Sequence, residues 1–175
     1  NTMTRRNVFA SALGAALALT CAATHGAERV PLREGDVDVY FAPEDDFAMY
    51  LSFDLSKSQR RVWFAGYSLT SPTLAQVVIQ AKVRGLDVQV LLDSSIAAEN
   101  DGTALLLHKN GVPVWVYPKG ASMQHRFVIC DDARIGFGSV DFTRAAVGGM
   151  AKDRAENFNL FVGVPGLVKK YATEF

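Results

Sequence analysis

The chain has 175 residues, with 18 basic and 18 acidic side chains and therefore a formal net charge of zero. Hydrophobic residues make up 49% and charged residues 21%, which excludes a disordered chain and is typical of one domain with a buried core. Three histidines and two cysteines are too few for a zinc site of the Cys/His kind, and neither a metal nor another cofactor is expected.

The N-terminal segment has the features of an export signal. Arg5 and Arg6 form a positive start, and an uncharged run of small apolar residues follows over positions 8–23. This run is short for a membrane span and typical of a secretory signal, with cleavage expected after Ala23 or Ala27. A permanent N-terminal anchor is the alternative interpretation.

The route of export is left open, because the segment 4–9 also resembles a twin-arginine signal. The sequence thus predicts a signal peptide over 1–27, a single domain over 28–175, and a periplasmic or secreted location. Removal of two arginines with the leader leaves a net charge of −2, so a nucleic-acid ligand needs a local basic patch.

The remaining chain alternates short apolar runs with amphipathic segments. Strands are predicted at 37–41, 61–69, 87–93, 112–117, 126–130, 135–137 and 158–162, and helices at 44–58, 72–84, 103–110 and from 165 to the chain end. This alternation predicts an α/β fold with a mixed, largely parallel sheet that helices cover on both faces.

One polar segment leads into an apolar strand. Gln124, His125 and Arg126 precede this strand, and a Gly138-Ser139 turn is predicted after the next one. Polar groups at strand ends commonly line a ligand crevice in α/β sheets. An imidazole, a guanidinium and backbone N–H groups are what a phosphate site needs.

The same segment resembles the signature of the phospholipase D superfamily, H-x-K-x4-D-x6-G-S-x-N. Counted back from Gly138-Ser139, the Asp position is Asp131, the Lys position is Arg126, and the last Asn position is Asp141. Upstream, AGYSLTSPTL and AKVRGLDVQVLLD are similar to the strand–helix–strand unit of that superfamily. The resemblance covers residues 37–175 with one signature, as in the small exported bacterial nucleases of the superfamily.

The resemblance implies a metal-independent phosphodiesterase, an endonuclease that acts through a phosphohistidine. One imidazole attacks phosphorus and a second protonates the leaving oxygen. Arg126, Ser139 and Asp141 are implied to contact the phosphate, and Glu156 matches the acidic residue that orients the catalytic imidazole. Since one signature supplies one histidine, the resemblance also implies a homodimer with the active site at the two-fold interface.

The chain departs from the signature at its most important position. Gln124 occupies the nucleophile position, and glutamine cannot form a phosphohistidine. His125 lies one residue away, which in a regular strand turns its side chain to the opposite face. A bulge or a late strand start would bring His125 into the pocket instead. Asp131 is either part of the catalytic site or the residue that fixes the turn after the strand.

Three functions follow from these observations. The first is a phosphodiester hydrolase, an endonuclease for DNA or RNA, impaired by Gln124. The second is a catalytically inactive member of the same fold that binds phosphate or nucleic acid. The third is a phospholipase that acts on phosphatidyl lipids. Phosphate contacts carry no base information, so the residues do not distinguish these substrates.

Overall fold

A single mixed sheet of eight strands forms the centre of the part of the chain that the structure describes. This computed structural model describes residues 6–7, 30, 32–95, 102–118, 120, 122–143 and 155–175. The strands run in the order β1-β5-β4-β3-β6-β7-β8-β2. The strands are β1 (Arg6–Asn7), β2 (Asp36–Ala42), β3 (Arg61–Gly66), β4 (Asp87–Leu92), β5 (Val114–Val116), β6 (Phe127–Cys130), β7 (Arg134–Gly138) and β8 (Glu156–Val162), and the helices are α1 (Phe47–Lys57), α2 (Pro72–Val83), α3 (Thr103–Lys109) and α4 (Pro165–Glu174).

The pairing of the strands confirms the α/β class and the mixed sheet but corrects one detail. Only the β3–β4 and β4–β5 pairs are parallel among the described strands, and the other five pairs are antiparallel. The prediction of a largely parallel sheet is therefore wrong. For the β6–β7 pair the reason is local, because the three-residue link is too short for the crossover that parallel neighbours need.

Helices cover both faces of the sheet, which gives the molecule three layers. One face packs against α1, α2 and α3 and is called here the α1/α2 layer; its buried side chains include Leu51, Leu74, Leu107 and Val128. The other face packs against α4 and is called the α4 layer. It is rich in aromatic rings, which include Phe127, Phe137, Phe161, Tyr171 and Phe175.

Two strand boundaries differ from the predictions in a way that matters for the site. β3 ends at Gly66, and Leu69 makes only an isolated bridge with Phe142. β6 begins at Phe127, so Arg126 lies just before the ladder. The polar residues before β6 are consequently held by side-chain contacts instead of by ladder hydrogen bonds.

The predicted leader falls mostly outside the described residues. Within it the structure describes Arg6 and Asn7, which form β1 and pair with Val116 and Trp115 of β5. The leader and its removal stay predictions. Among the helices in the described ranges, none combines the length and apolar character that crossing a membrane requires.

Candidate functional site

The polar residues before β6 lie at the end of the sheet where the parallel strands finish. β3 and β4 run in parallel, so Gly66 and Leu92 end side by side. β6 runs antiparallel to β3, and its first residue, Phe127, lies opposite Ala65. The chain therefore brings Gln124, His125 and Arg126 to the carboxyl ends of the parallel strands, where α/β sheets commonly bind ligands.

An open cleft of about 380 Å³ lies at this end of the sheet. Its wall on the α4 layer is aromatic: the ring of Tyr171 stacks on Phe137 at 5.3 Å and meets Phe127 edge-on at 5.0 Å. Burial raises the pKa of Tyr171, so its phenol stays protonated at neutral pH. The full lining is Gln124, His125, Arg126, Phe127, Phe137, Gly138, Asn157, Asn159 and Tyr171.

The ladder of β6 is regular, and this fixes which way the neighbouring side chains point. Phe127 to Cys130 pair one for one with Phe137 to Arg134, without a bulge. The His125 ring lies 6.0 Å from the Phe127 ring, on the side of the α4 layer. Gln124 lies on the other side together with Arg126, because Arg126 Nη2 donates to Gln124 Oε1 at 3.3 Å.

The two sides of the segment therefore present different chemistry at one cleft. The late start of β6 does not exchange Gln124 and His125, because His125 remains on the side of Phe127. Gln124 is thus the neighbour of the cation, as the superfamily spacing implies. Gln124 Nε2 also donates to Ser122 Oγ at 2.6 Å. Both Gln124 and His125 still line the cleft, since they lie at the very end of the sheet.

Arg126 and Asp141 form an ion pair. Arg126 Nε donates to Asp141 Oδ1 at 2.5 Å, and the two side chains are 24% and 25% exposed. Nη1 of the same guanidinium donates to the backbone oxygen of Gln124 at 3.3 Å. The structure thus brings together two of the three residues that the resemblance assigned to phosphate binding, and it pairs them with each other.

Ser139 and Glu156 form a second pair beside the cleft. Ser139 Oγ donates to Glu156 Oε2 at 2.5 Å and accepts from the Asn157 N–H at 3.0 Å. Among the described residues, the Glu156 carboxylate is bound by this hydroxyl and no contact joins it to an imidazole. The interpretation that Glu156 orients a catalytic imidazole stays a prediction.

Asp131 lies at the far end of β6 from the cleft. It lies five positions after Arg126, which is about 17 Å along an extended strand. Its carboxylate accepts hydrogen bonds from the backbone N–H groups of Gln59, Arg60 and Arg61, at 2.8 to 3.2 Å. Of the two interpretations of Asp131, this geometry favours the residue that fixes the turn, and it places the carboxylate outside the cleft.

Sequence reasoning missed one residue that positions the site. Asp93 is 3% exposed, and its Oδ2 accepts from the Met123 N–H at 2.8 Å, which anchors the segment before β6. Burial by itself acts to raise the pKa of Asp93, but hydrogen bonds from the Ser95 side chain and from the backbone of Met123 and Ser95 outweigh it and lower that pKa. An acidic residue directly after the apolar strand 87–92 was the available signal.

The other ionisable candidates lie apart from the cleft. Cys130 is fully buried, and burial raises the pKa of its thiol to about 12, so it is no nucleophile at neutral pH. His108 is on the exposed side of α3. Within the described ranges, no three His, Cys, Asp or Glu side chains come close enough together to form a metal site.

A family model described as cardiolipin synthase, PLD-like domain, matches residues 51–175. The chain is 24% identical to a phospholipase D of Rickettsia typhi over 126 residues, which are 72% of this chain and 60% of that protein. The phospholipase D of Rickettsia conorii is 23% identical over the same length, 72% of this chain and 61% of its own. The chain therefore spans about 60% of the length of these relatives.

Two solved structures have the same fold. The crystal structure of a phospholipase D family member, Nuc from Salmonella typhimurium, superposes with a TM-score of 0.72 at 22% identity, covering 81% of this chain and 91% of that one. NucT from Helicobacter pylori gives a TM-score of 0.70 at 20% identity, covering 81% of this chain and 93% of that one.

The fold and the cleft define an α/β protein with an open polar and aromatic cleft at the carboxyl ends of its parallel strands. The family model extends over more than half of the chain and includes β6, β7 and the cleft. The chain belongs to the phospholipase D superfamily, in the family with a phospholipase D-like domain, and this superfamily acts on phosphodiesters.

Proposed function

We propose that the protein binds nucleic-acid phosphodiesters in the cleft at the start of β6 and hydrolyses them slowly, without a metal ion. The observation that carries this proposal is that the His125 imidazole and the Arg126 guanidinium are neighbours in the lining of one open cleft. An imidazole supplies the nucleophile of a phosphohistidine route, and a guanidinium clamps the phosphate oxygens. Membership of the superfamily supports a phosphodiester as the substrate.

In the proposed reaction a nitrogen of His125 forms a bond to phosphorus while the bond to the leaving oxygen breaks. That oxygen takes a proton from a second imidazole, and water then cleaves the phosphohistidine. Arg126 neutralises the non-bridging oxygens, and Ser139 donates a hydrogen bond to one of them after its hydroxyl proton turns away from Glu156. The second imidazole comes from another copy of the chain, so the proposal includes a homodimer with the site at its two-fold axis.

The low rate follows from the side on which each group lies. Gln124 is on the side of Arg126 and Asp141, where the nucleophile of this superfamily belongs. His125 is on the opposite side, against Phe127. A phosphate clamped by Arg126 therefore meets His125 only at the strand end, in a poor geometry for attack.

The test is a turnover assay in EDTA with DNA, RNA and phosphatidylcholine vesicles as separate substrates. We expect slow cleavage of nucleic acid by the wild type and loss of this activity in His125→Ala. Gln124→His places an imidazole beside Arg126, and we expect a gain of about 100-fold or more. His108→Ala is the matched control, because it removes an imidazole that lies on α3, and its rate should equal that of the wild type.

Other outcomes contradict particular parts of the proposal. Activity that disappears in EDTA and returns with Mg²⁺ or Zn²⁺ contradicts the metal-independent route. Cleavage of the vesicles in place of nucleic acid identifies a phospholipase. A strict monomer in sedimentation that still turns over substrate contradicts the shared site.

A non-catalytic phosphate-binding protein is the second candidate, and it is favoured by Gln124 beside Arg126, because glutamine cannot form a phosphohistidine. In that case both the wild type and Gln124→His bind oligonucleotides, and neither cleaves them.

A further inference from the structure

Three of the five N–H donors of the Arg126 guanidinium are engaged by the chain itself. Nε donates to Asp141 Oδ1 at 2.5 Å, Nη1 to the Gln124 backbone oxygen at 3.3 Å, and Nη2 to Gln124 Oε1 at 3.3 Å. Each nitrogen of the cation thus already has an oxygen partner. The Asp141 carboxylate takes the place that a phosphate oxygen would take on the guanidinium, because both anions accept from the same N–H donors.

Asp141 is held in this place by a rigid neighbour. The next residue, Phe142, is fully buried, and its ring meets Phe64 at 4.3 Å. The backbone oxygen of Phe142 accepts from the N–H groups of Thr70 and Ser71, each at 3.1 Å. These contacts hold the Asp141 backbone in place, so the two charges separate by rotation of the Asp141 or the Arg126 side chain.

We propose that Asp141 is an internal competitor that closes the phosphate site of this chain and sets its affinity for phosphate. In the closed state the carboxylate occupies Arg126. Phosphate binds when it displaces that carboxylate, and it does so against the repulsion of a second anion nearby. The inference rests on the proposed function, since it concerns the same cleft, but it concerns binding and not the hydrolytic step.

The test is calorimetric titration of inorganic phosphate, and of a short oligonucleotide in EDTA, into the wild type and Asp141→Asn. Asparagine keeps the size of the side chain and removes its charge, so we expect Asp141→Asn to bind phosphate at least about tenfold more tightly. Adding Arg126→Ala to Asp141→Asn should abolish this gain. Asp36→Asn is the control for the charge change, since Asp36 is exposed at the start of β2, and its affinity should equal that of the wild type.

A gain of affinity is the decisive readout, because damage to the fold lowers binding and does not raise it. Binding by Asp141→Asn that is weaker than, equal to or as undetectable as that of the wild type overturns the proposal. If Asp141→Asn binds more tightly and no cleavage is seen, the internal competitor is supported and only the hydrolytic function is contradicted. If the wild type cleaves nucleic acid and Asp141→Asn shows no gain in phosphate affinity, only the internal competitor is contradicted.

Discussion

Asp131 shows how one side chain fixes the connection between two strands. It has a φ of 58°, a conformation that Asp and Asn tolerate better than most residues. Its carboxylate binds the backbone N–H groups of Gln59, Arg60 and Arg61 just before β3. These bonds tie the end of β6 to the start of β3. Asp131 therefore stabilises the fold and affects the cleft only indirectly, through the position of β6.

We predict that Asp131→Ala lowers the free energy of unfolding by about 2–4 kcal/mol, because it leaves several N–H groups without an acceptor and strains the backbone. Urea unfolding followed by circular dichroism measures the change. Asp132→Ala is the matched control: Asp132 pairs only with exposed or partly exposed arginines, and its loss should be below about 1 kcal/mol. Equal effects of the two changes would contradict the assigned role of Asp131.

At the scale of elements, β7 and β8 leave no room for a side chain at Gly138, beside the cleft. A Cβ added at Gly138 would lie 2.0 Å from the Asn157 backbone oxygen and 2.8 Å from the Phe158 Cα. Both neighbours are backbone atoms and cannot move without opening the ladder. Gly138 is therefore the last residue of β7, at a position with no room for a side chain, although the sequence suggested a turn there.

We predict that Gly138→Ala destabilises the protein by about 3 kcal/mol, since the two strands must separate. The shift in the urea midpoint measures this. Gly166→Ala is the control, because a Cβ there would meet only Val30 at an ordinary 3.5 Å in the first turn of α4. Alanine favours a helix over glycine, so this control should be neutral or stabilising by up to about 1 kcal/mol. If Gly138→Ala behaves like its control, the close approach does not exist.

The elements themselves were largely predictable, because apolar alternation reports on burial and capping residues mark the starts of helices. The pattern at 87–93 predicted β4, and Ser71-Pro72 predicted the start of α2, where Ser71 Oγ accepts from the Leu74 N–H. The antiparallel direction of β6 and β7 was open to prediction from their short link, whereas the directions of the β2–β8 and β3–β6 pairs were not, because those partners are distant in the chain.

The candidate site was predictable in its residues and not in their partners. The spacing identified Gln124, Arg126 and Asp141, and the structure does place them together. The engagement of Arg126 by Asp141 depends on long-range contacts between two strand ends. Asp93 was missed for the same reason, because its role lies in a hydrogen bond to Met123, thirty positions away.

At the scale of the whole molecule, the described part of the predicted leader meets the sheet at its edge. β1 pairs with β5 at the edge of the sheet. We propose that the leader is removed on export, which would leave β5 as the edge strand. Mass spectrometry of the exported protein should then show a start between Thr24 and Glu28. An intact N-terminus on protein that stays in the cytoplasm would contradict both the leader and the periplasmic or secreted location.

The unequal composition of the two layers has an optical consequence. Both tryptophans of the chain, Trp63 and Trp115, pack against the α4 layer, and Trp63 stacks on Phe175 at 5.1 Å. Intrinsic fluorescence therefore reports on one face of the sheet. Loss of α4 alone would change the tryptophan emission strongly, whereas a rearrangement of Arg126 and Asp141 on the opposite side would leave the emission spectrum nearly unchanged.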